Sequence, residues 1–371
     1  MTPFKLARLG MIMEPQAGEA NEVEGVLNPG AARGADGQLY LFPRLVAAGN
    51  YSRIGIARVL FDKTGDPIGV ERMGLALEPE ADYELTDHGG GCEDPRVSFV
   101  EPLQLYVMTY TALSRRGPRI AIAVSEDLFH WRRLGLVRFE PYRSIGFEDV
   151  DNKDACLFPA EFIGPSGRPV LALLHRPLFP GTRPEEKVDQ PGRSQLHLHH
   201  ESIWISYCDL PEKGELTQLG AFGAHHRLAS PVSHWEKLKI GCGAPPILCR
   251  HGWLGLYHGV HCRPGTNPRG PRLCYSAGVM VLPRDHSTNI LYRSPEPILV
   301  PNGPYETHGT VDDVVFPTGE DRRDDLGAPD VFDVYYGMAD DRIGVARMHV
   351  PQTLPSGAPA DPTGAAIKAE P

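Results

Sequence analysis

The chain repeats one pattern five times along its length: two apolar runs, rich in β-branched residues and usually separated by a short turn. Pairs of this kind are typical of β-hairpins. The repeats are roughly 65 to 85 residues apart, a spacing that accommodates four strands with long loops. The paired runs are residues 37–46 and 51–62, 103–112 and 119–125, 169–175 and 202–210, 253–260 and 273–282, and 331–338 and 342–348.

Each repeat opens with a polar or Gly/Pro-rich turn ahead of its first strand. The second repeat has the most distinctive one, Gly91-Cys92-Glu93-Asp94-Pro95-Arg96-Val97, where a tight turn presents an acidic pair immediately before an apolar strand. The corresponding segments elsewhere are Asn28-Pro29-Gly30, Lys153-Asp154-Ala155, Gly243-Ala244-Pro245-Pro246 and Asp312-Asp313-Val314.

This repeat predicts an all-β chain folded as a five-bladed β-propeller. A small sheet that is apolar on both faces cannot bury them alone, so packing such sheets face to face around an axis supplies the core. The opening turns then converge at one mouth of the central channel. A pair of β-sandwiches joined by a linker is the alternative. We expect residues 1–350 to form one catalytic domain and residues 351–371, rich in Pro, Ala and Gly, to form a loosely packed tail.

Composition restricts the partners of the chain. The net charge of −10 and the pI near 5.8 argue against nucleic acid or an anionic membrane, because both call for a basic surface. The sequence has no recognisable export signal and no apolar run long enough for a membrane span. Its seven cysteines include no Cys-x-x-Cys pair, which indicates reduced thiols. We therefore expect a cytoplasmic protein that acts on small molecules, and long loops leave a homo-oligomer open.

The converging turns carry carboxylates with flanking cations. Such a cluster fits general acid catalysis on a polyhydroxylated substrate whose attacking or leaving group is anionic. Taken singly, each residue also has a structural interpretation: Asp94 before Pro95 can close an Asx turn, and Asp312-Asp313 can be a solvated turn. Because these residues recur at equivalent points of the repeat, the functional interpretation is favoured. The turns contribute Asn28, Glu93, Asp94, Lys153, Asp154, Asp312 and Asp313, and strand ends add Arg44, His175, Arg176, Lys239, His258 and Asp340.

An ordered set of motifs resembles glycoside hydrolase family 130, the β-mannoside phosphorylases and related β-mannosidases, from about residue 28 to residue 348. The motifs are Glu93-Asp94-Pro95-Arg96, Met108-Thr109-Tyr110-Thr111-Ala112, Ser125-Glu126-Asp127-Leu128, Asn152-Lys153-Asp154-Ala155, His175-Arg176-Pro177, Lys239-Ile240-Gly241, Tyr257-His258-Gly259 and Tyr335-Tyr336-Gly337 with Asp340.

The resemblance implies a five-bladed propeller and an inverting phosphorolysis. Asp94 matches the family's general acid, which is thought to act through the mannosyl 3-hydroxyl as a proton relay to the glycosidic oxygen. Inorganic phosphate then attacks the anomeric carbon from the opposite face and yields α-mannose 1-phosphate. Phosphate is a co-substrate here, and the reaction requires no metal or organic cofactor.

The same resemblance assigns the remaining site residues. Lys153, Arg176 and Lys239 fall where the family's phosphate-binding cations are expected, which suits phosphate because it needs positioning rather than deprotonation. The residues expected to bind substrate are Asn28, Arg44, Glu93, Asp154, His258, Asp312 and Asp340. The run His197, His199 and His200 resembles a metal-ligand cluster, but a substrate-covering or interface loop is the preferred interpretation.

Two alternatives stay open. An inverting β-mannosidase of the same fold would need a carboxylate base, for which Glu161 and Glu306 are the candidates. A non-catalytic carbohydrate-binding propeller would tolerate loss of Asp94. The acceptor, whether glucose (as in β-1,4-mannosyl-glucose), N-acetylglucosamine or a mannooligosaccharide, and the linkage are also open, and residues 182–201 and 262–272 are expected to form the rim that selects them.

Overall fold

The structure, a computed structural model, describes residues 4–142, 146–148, 150–179, 200–212, 215–267, 270–285 and 288–360. Within these ranges strands dominate and helical structure is limited to single turns, so the prediction of an all-β chain is confirmed. None of these helical turns has the length or the apolar character to cross a membrane. The helix α1 spans Pro304–Thr307, and the 3-10 turns span Asp82–Glu84, Leu216–Gly220, His234–Glu236 and Asp324–Leu326.

The strands follow the predicted runs closely. In chain order they are β1 Lys5–Met13, β2 Gly25–Arg33, β3 Leu39–Ala47, β4 Tyr51–Phe61, β5 Pro67–Leu77, β6 Gly90–Val100, β7 Leu105–Ser114, β8 Gly117–Ser125, β9 Arg132–Leu136, β10 Arg138–Phe139, β11 Asp151–Leu157, β12 Phe162–Ile163, β13 Pro169–Leu178, β14 Ile203–Asp209, β15 Ala221–Ala229, β16 Lys239–Cys242, β17 Ile247–Cys249, β18 Gly252–Asn267, β19 Gly270–Leu282, β20 Tyr292–Arg293, β21 Val315–Arg322, β22 Val331–Met338 and β23 Arg342–His349.

The strands form antiparallel units that we number in chain order. Unit 1 is β2 to β5, unit 2 is β6 to β9, unit 3 is β11 to β15, unit 4 is β16 to β20, and unit 5 is β21 to β23 with β1. Units 1 and 2 share one sheet because β4 and β6 make a short parallel contact. All five predicted strand pairs are antiparallel hairpins, namely β3–β4, β7–β8, β13–β14, β18–β19 and β22–β23.

The first and last strands of the chain are neighbours in unit 5. Strand β1 pairs with β23 in antiparallel fashion, with Lys5 opposite His349 and Met13 opposite Ile343. An edge strand from one end of the chain is thus covered by a strand from the other, which protects both edges from unwanted pairing.

Buried apolar side chains connect each unit to the next, and unit 5 back to unit 1. Each unit therefore buries both of its faces, which explains why its strands are apolar on both sides. Representative pairs in these clusters are Phe42 and Met108, Ile122 and Leu173, Ile205 and Met280, Leu256 and Phe332, and Val345 and Leu41.

The first strands of units 1, 2 and 3 share a local distortion. Each contains a register shift at a residue with left-handed backbone, namely Asn28 (φ 46°), Asp94 (φ 46°) and Asp154 (φ 56°). Asn and Asp are the non-glycine residues that best tolerate this conformation. Gly91 precedes the second shift, and a Cβ there would lie 2.3 Å from the carbonyl oxygen of Ser52. The acidic pair therefore follows a turn that only glycine can make.

Hydrogen bonds anchor the beginning of the predicted tail at residues 358 and 360. The backbone N–H of Ser230 donates to the carbonyl oxygen of Ala360 (3.0 Å), and that of Ala358 donates to the carbonyl oxygen of Arg293 (2.8 Å). The Arg293 guanidinium also donates to the carbonyl oxygen of Ala360 (2.9 Å). These bonds fasten residues 351–360 to unit 4, whereas residues 361–371 lie outside the described ranges.

Candidate active site

The bulges of units 1 and 2 assemble a buried carboxylate cluster. The amide of Asn28 donates to Oδ1 of Asp94 at 2.9 Å, and the Arg44 guanidinium donates to Glu93 at 2.7 Å and to Asp94 at 3.3 Å. Asp94 is 5% exposed. We call Asn28, Arg44, Glu93, Asp94 and Asp340 the acid end of the site.

Asp340 reaches the acid end from the tight turn between β22 and β23. Its backbone is left-handed (φ 52°), like that of Ala339 before it (φ 47°). Burial, and then the negative charge of Asp94, raise the pKa of Asp340 to about 6. A carboxyl group with this pKa keeps its proton in mildly acidic solution and is mostly ionised at pH 7.

The other two carboxyls of the acid end respond differently to the same surroundings. Burial raises the pKa of Glu93, and the Arg44 guanidinium only partly offsets it. Burial also acts to raise the pKa of Asp94, but the cations Arg44, Lys153 and Arg96 together with the Asn28 amide bring it below its ordinary value. Asp94 is therefore the carboxyl of the cluster whose ionised form is favoured by its surroundings.

Units 3 and 4 assemble a second cluster beside the first. Nε of Arg176 donates to Oδ2 of Asp154 at 2.6 Å, and another nitrogen of the same guanidinium pairs with Glu201. Nε2 of His258 lies 3.7 Å from the same Asp154 oxygen. All of these side chains except Lys239, which is partly exposed, are buried. We call these residues, together with Lys153, which is also partly exposed, the anion end: Lys153, Asp154, Arg176, Glu201, Lys239 and His258.

Close packing against Gly241 holds the anion end in place. A Cβ at Gly241 would lie 2.2 Å from Oδ2 of Asp154 and 2.5 Å from Cε1 of His258, so the side chains approach the bare backbone. Burial lowers the pKa of His258 to about 3, which keeps the ring neutral. Its ring packs on Phe316 with centroids 4.3 Å apart, and neither ring nitrogen has a hydrogen-bond partner within the described ranges.

Two lysines at this end have no carboxylate partner in the part of the chain that the structure describes. Lys239 lies 5.5 Å from the ring centroid of Tyr275, and burial together with the nearby charges of Arg176 and Lys153 lowers its pKa. Lys153 acts on the pKa of Asp94 as well as on that of Asp154, so it lies on the side of the anion end that faces the acid end. Partly buried cations without a counter-charge favour the binding of an anion.

Arg96 connects the two ends of the site. It donates from Nε to the carbonyl oxygen of Gly243 at 2.8 Å and from Nη1 to the backbone carbonyl of Asp94. Its Nη2 lies 3.9 Å from Asp154, and its guanidinium lies 5.7 Å from the ring of Phe316. Being 1% exposed, it fixes the position of Asp94 relative to Asp154.

The structure distinguishes the two residues of the Asp312-Asp313 pair. Asp313 is fully buried with left-handed backbone (φ 60°), and it pairs with Arg263 at 2.7 Å and Arg272 at 2.5 Å. Asp312 is partly exposed and accepts a hydrogen bond from the N–H of Gly309 at 3.4 Å. Asp313 therefore shares with Asp94 of unit 2 its burial and its left-handed backbone.

Several candidates lie away from both ends. Glu161 is exposed at an edge of unit 3, and Glu306 is bound to Arg8 (2.8 Å) and Tyr336 (2.8 Å). His175 belongs to a buried chain in which its nitrogens contact Asn152 and Ser206.

Of the histidine run interpreted as a substrate-covering or interface loop, His197 and His199 lie outside the described ranges. Among the described residues, no three histidine, cysteine, aspartate or glutamate side chains are grouped so that they could hold a metal ion.

Five residues of the site were not predicted from the sequence. Arg96 lay in a recognised motif without a role, and Glu201 and Tyr275 are brought in by long-range pairing. The other two, Arg263 and Arg272, come from the extended hairpin of β18 and β19, which was expected only to form a rim. A sequence signal did exist for Asp313, because it is the second residue of its pair, as are Asp94 in Glu93-Asp94 and Asp154 in Lys153-Asp154.

The carboxyl groups and the unpaired cationic side chains lie on different sides of the site. Carboxyls on one side can give a proton to a leaving group, and cations on the other can hold an anionic nucleophile. A substrate lying between them would have the two groups on opposite faces, which is the arrangement that an inverting displacement needs.

Known proteins resemble this chain over most of its length. The family described as beta-1,4-mannooligosaccharide phosphorylase, in glycoside hydrolase family 130, matches residues 7–354. A 1,2-beta-oligomannan phosphorylase from Thermoanaerobacter sp. (strain X514) is 28% identical over 356 residues, covering 94% of this chain and 98% of the relative. A beta-1,2-mannobiose phosphorylase from the same organism is 31% identical over 285 residues, covering 76% of this chain and 73% of the relative.

A solved structure has a similar fold. The beta-1,2-mannobiose phosphorylase from Listeria innocua, in complex with beta-1,2-mannobiose, aligns with a TM-score of 0.66 and 22% identity. The alignment covers 93% of this chain and 97% of the other. At this level of identity the likeness concerns the fold alone.

Proposed function

This chain belongs to glycoside hydrolase family 130, and from that membership we propose that it is an inverting β-mannoside phosphorylase. The enzyme cleaves a β-mannoside with inorganic phosphate and releases α-mannose 1-phosphate and a free sugar. The family match over residues 7–354 confirms the resemblance seen in the motifs. The phosphorylase names of the relatives support the reaction class proposed for this chain.

The observation that carries this proposal is the excess of cations at the anion end. Lys153 and Lys239 have no carboxylate partner in the described ranges, and Lys239 is held in a setting that disfavours its own charge. A phosphate ion would supply the missing counter-charge, whereas a water molecule would not. Phosphate is already nucleophilic, so these groups need only position it.

Asp94 is the proposed general acid. It delivers a proton to the glycosidic oxygen, by way of the mannosyl 3-hydroxyl if it follows the family, as the bond to the anomeric carbon breaks. A phosphate oxygen forms the new bond from the opposite face, so the configuration inverts. The proton ends on the released sugar, and Asp94 recovers one from solvent before the next turnover.

Substrate binding would also prepare Asp94 for this role. In the unliganded site, cations lower the pKa of Asp94. Phosphate beside Lys153 would offset part of that positive charge, and the sugar would exclude water, and both changes favour the protonated carboxyl. Asp340, with its pKa of about 6, is a nearby group that shares the proton of the cluster.

The remaining site residues have proposed binding roles. Lys153, Arg176 and Lys239 would contact phosphate, with the neutral His258 ring beside it. Mannoside hydroxyls would contact the other polar groups of the mouth, where Asp313 is a better candidate than Asp312 because it is buried in the equivalent position. These groups are Asn28, Arg44, Glu93, Asp154, Asp312 or Asp313, and Asp340.

We further propose that the chain is a single five-bladed β-propeller with the site at one mouth of its channel. The five units, each packed on the next, and the pairing of β1 with β23 support this arrangement. A cytoplasmic location fits the reaction, because phosphorolysis conserves energy only where the sugar phosphate is retained. A homo-oligomer remains compatible with the long loops.

A hydrolytic reaction has one observation in its favour. Glu201 places a buried carboxylate at the anion end, where a base for water would be needed. Its pairing with Arg176 weakens this alternative, because a carboxylate held by a guanidinium is a poorer base.

The decisive experiment incubates the purified protein with β-1,2-mannobiose, β-1,4-mannobiose and β-1,4-mannosyl-glucose, with and without inorganic phosphate. α-Mannose 1-phosphate and free mannose are followed together. We expect mannose 1-phosphate only when phosphate is present, from at least one substrate. Equal release of mannose without phosphate would instead identify a hydrolase, and the substrate that reacts fastest would identify the linkage.

A further inference from the structure

Glu201 occupies a position that the predicted mechanism does not explain. Its carboxylate pairs with Nη1 of Arg176, while Nε of the same guanidinium donates to Asp154 at 2.6 Å. Glu201 is 2% exposed and Asp154 is 1% exposed. A cation expected to bind phosphate therefore already has two buried carboxylates as partners.

The backbone holds Glu201 at this place. Its carbonyl oxygen accepts a hydrogen bond from the N–H of Ile240 at 3.1 Å, and the residue forms a bridge with Lys239. Glu201 is therefore tied to the strand that carries one of the free lysines. Its carboxylate competes for Arg176 from a fixed position.

The charges show what this carboxylate changes. Lys153, Arg176 and Lys239 give three positive charges, His258 is neutral, and Asp154 gives one negative charge. Glu201 brings the sum from plus two to plus one. Because Asp154, Arg176 and Glu201 are buried and the two lysines are only partly exposed, one charge has a large effect on the affinity for an anion.

We propose that Glu201 is a specificity-determining residue of the nucleophile site. By occupying an N–H of Arg176, Glu201 weakens the binding of phosphate and of the sugar phosphate product. This inference rests on the proposed phosphorolysis. A guanidinium offers two parallel N–H groups to an oxyanion, and Glu201 takes one of them. Phosphate is therefore held mainly by the lysines, and the product can leave after each turnover.

The test replaces Glu201 by Gln, which keeps the shape of the side chain and removes its charge. Titration calorimetry with inorganic phosphate should give a Kd about tenfold lower than that of the wild type, in line with the loss of one buried like charge. The KM for phosphate should fall in parallel, and the KM for the mannoside should change less than about twofold. The kcat should fall, because the product sugar phosphate is held more tightly.

Glu126→Gln is the matched control. Glu126 is exposed on the turn after β8, so its substitution changes the net charge equally but at the surface. Its Kd for phosphate should equal that of the wild type. If the Gln variant of Glu201 does not fold, Glu201→Asp provides a second measurement: the shorter side chain withdraws the carboxylate from Arg176, and the Kd should fall by about two- to threefold.

The outcomes separate this inference from the proposed function. A wild-type protein that neither binds phosphate nor makes mannose 1-phosphate would overturn the phosphorylase itself. A wild type that does both, with a Gln variant whose Kd is unchanged or higher, would overturn only the role of Glu201 and would mean that it orients Arg176. If the wild type released mannose without phosphate and the Glu201→Gln variant did not, the proposed role of Glu201 would also be contradicted, because Glu201 would then act as a base.

Discussion

The acid end and the anion end are built from the same kinds of side chain in opposite proportions. At the acid end, Glu93, Asp94 and Asp340 surround the single guanidinium of Arg44, so carboxyls outnumber cations and the pKa of one of them, Asp340, is raised to about 6. At the anion end the cations outnumber the carboxylates, and two ammonium groups have no carboxylate partner in the described ranges.

This difference indicates which end depends on a ligand. The acid end can balance its charge by keeping protons, and that is the property a general acid requires. The anion end cannot do so readily, because guanidinium groups do not deprotonate. An anion from solution has to complete it. Mutations at the two ends should therefore change different kinetic parameters.

The largest effect is expected at the acid end, from Asp94→Asn. Asn keeps the bonds to Asn28 and Arg44 approximately in place but cannot give up a proton, so kcat should fall roughly a thousandfold. Thermal unfolding should be nearly unchanged. Rates with β-mannobiose and with 4-nitrophenyl β-mannoside provide the measurement, because the second leaving group needs little protonation and should recover much of the loss.

Asp324→Asn is the control for this substitution. Asp324 is exposed, pairs with Arg322 at the surface, and belongs to neither end of the site. Its kcat should stay within about twofold of the wild type. An equal loss with both leaving groups would mean that Asp94 is not the acid.

The next effect is expected at the anion end, from Lys239→Met. Removing a charge-assisted contact to phosphate should raise the KM for phosphate by roughly 30-fold, corresponding to about 2 kcal/mol. Stability should not decrease, because no carboxylate loses a partner. The KM for the mannoside should be nearly constant, as measured from initial rates over a grid of both substrates.

Lys153→Met tests whether the two ends are separate. Because Lys153 acts on the pKa of Asp94 as well as on that of Asp154, its loss should raise the KM for phosphate and also alter kcat. If both lysine variants changed only the mannoside KM, the anion end would be misassigned.

A smaller effect concerns the packing that holds the anion end together. In Gly241→Ala the new Cβ would meet Asp154 and His258 at 2.2 Å and 2.5 Å, so these groups must move. The free energy of unfolding should fall by roughly 2 kcal/mol, measured by urea denaturation. Gly255→Ala is the matched strand control, because its nearest neighbour would be 3.9 Å away. Similar values for both variants would rule out a tight approach at Gly241.

The sequence predicted the fold to the level of its strand pairs. The hairpin of β22 and β23, for example, was predicted from residue 331 to residue 348 and is observed over Val331–Met338 and Arg342–His349. Local alternation and turn composition are sufficient for such elements, because both the pairing and the burial are decided by neighbouring residues.

The site could be predicted only where its residues recur in the repeat. Asp94 and Asp154 occupy equivalent bulges, so the pattern itself draws attention to them. The pairing of Glu201 with Arg176 depends on a contact across the chain with no local signal. The choice between Asp312 and Asp313 depends on a backbone φ angle, which adjacent residues of the same type do not reveal.

The smallest effect is expected from Asp340→Asn, and it concerns pH. The folded-state pKa of Asp340 is about 6 against an ordinary value of 3.8, because burial, together with the negative charges of Asp94 and Glu93, outweighs the opposing positive charges of Arg44 and Lys153. The folded protein therefore keeps a proton that the unfolded chain releases between these pH values. The stability that this proton provides is fully present below pH 3.8 and is lost as the pH rises through 6.

Asn is uncharged at every pH, so the variant should gain stability relative to the wild type as the pH rises from 4 to 7, and the two should be alike below pH 4. Paired thermal unfolding curves across this range test the sign. Loss of a negative neighbour also lowers the pKa of Asp94 further, so the alkaline limb of kcat/KM should move to lower pH by about one unit or less. A stability difference that does not vary with pH would mean that Asp340 is ionised throughout, and the acid end would then lack its proton reserve.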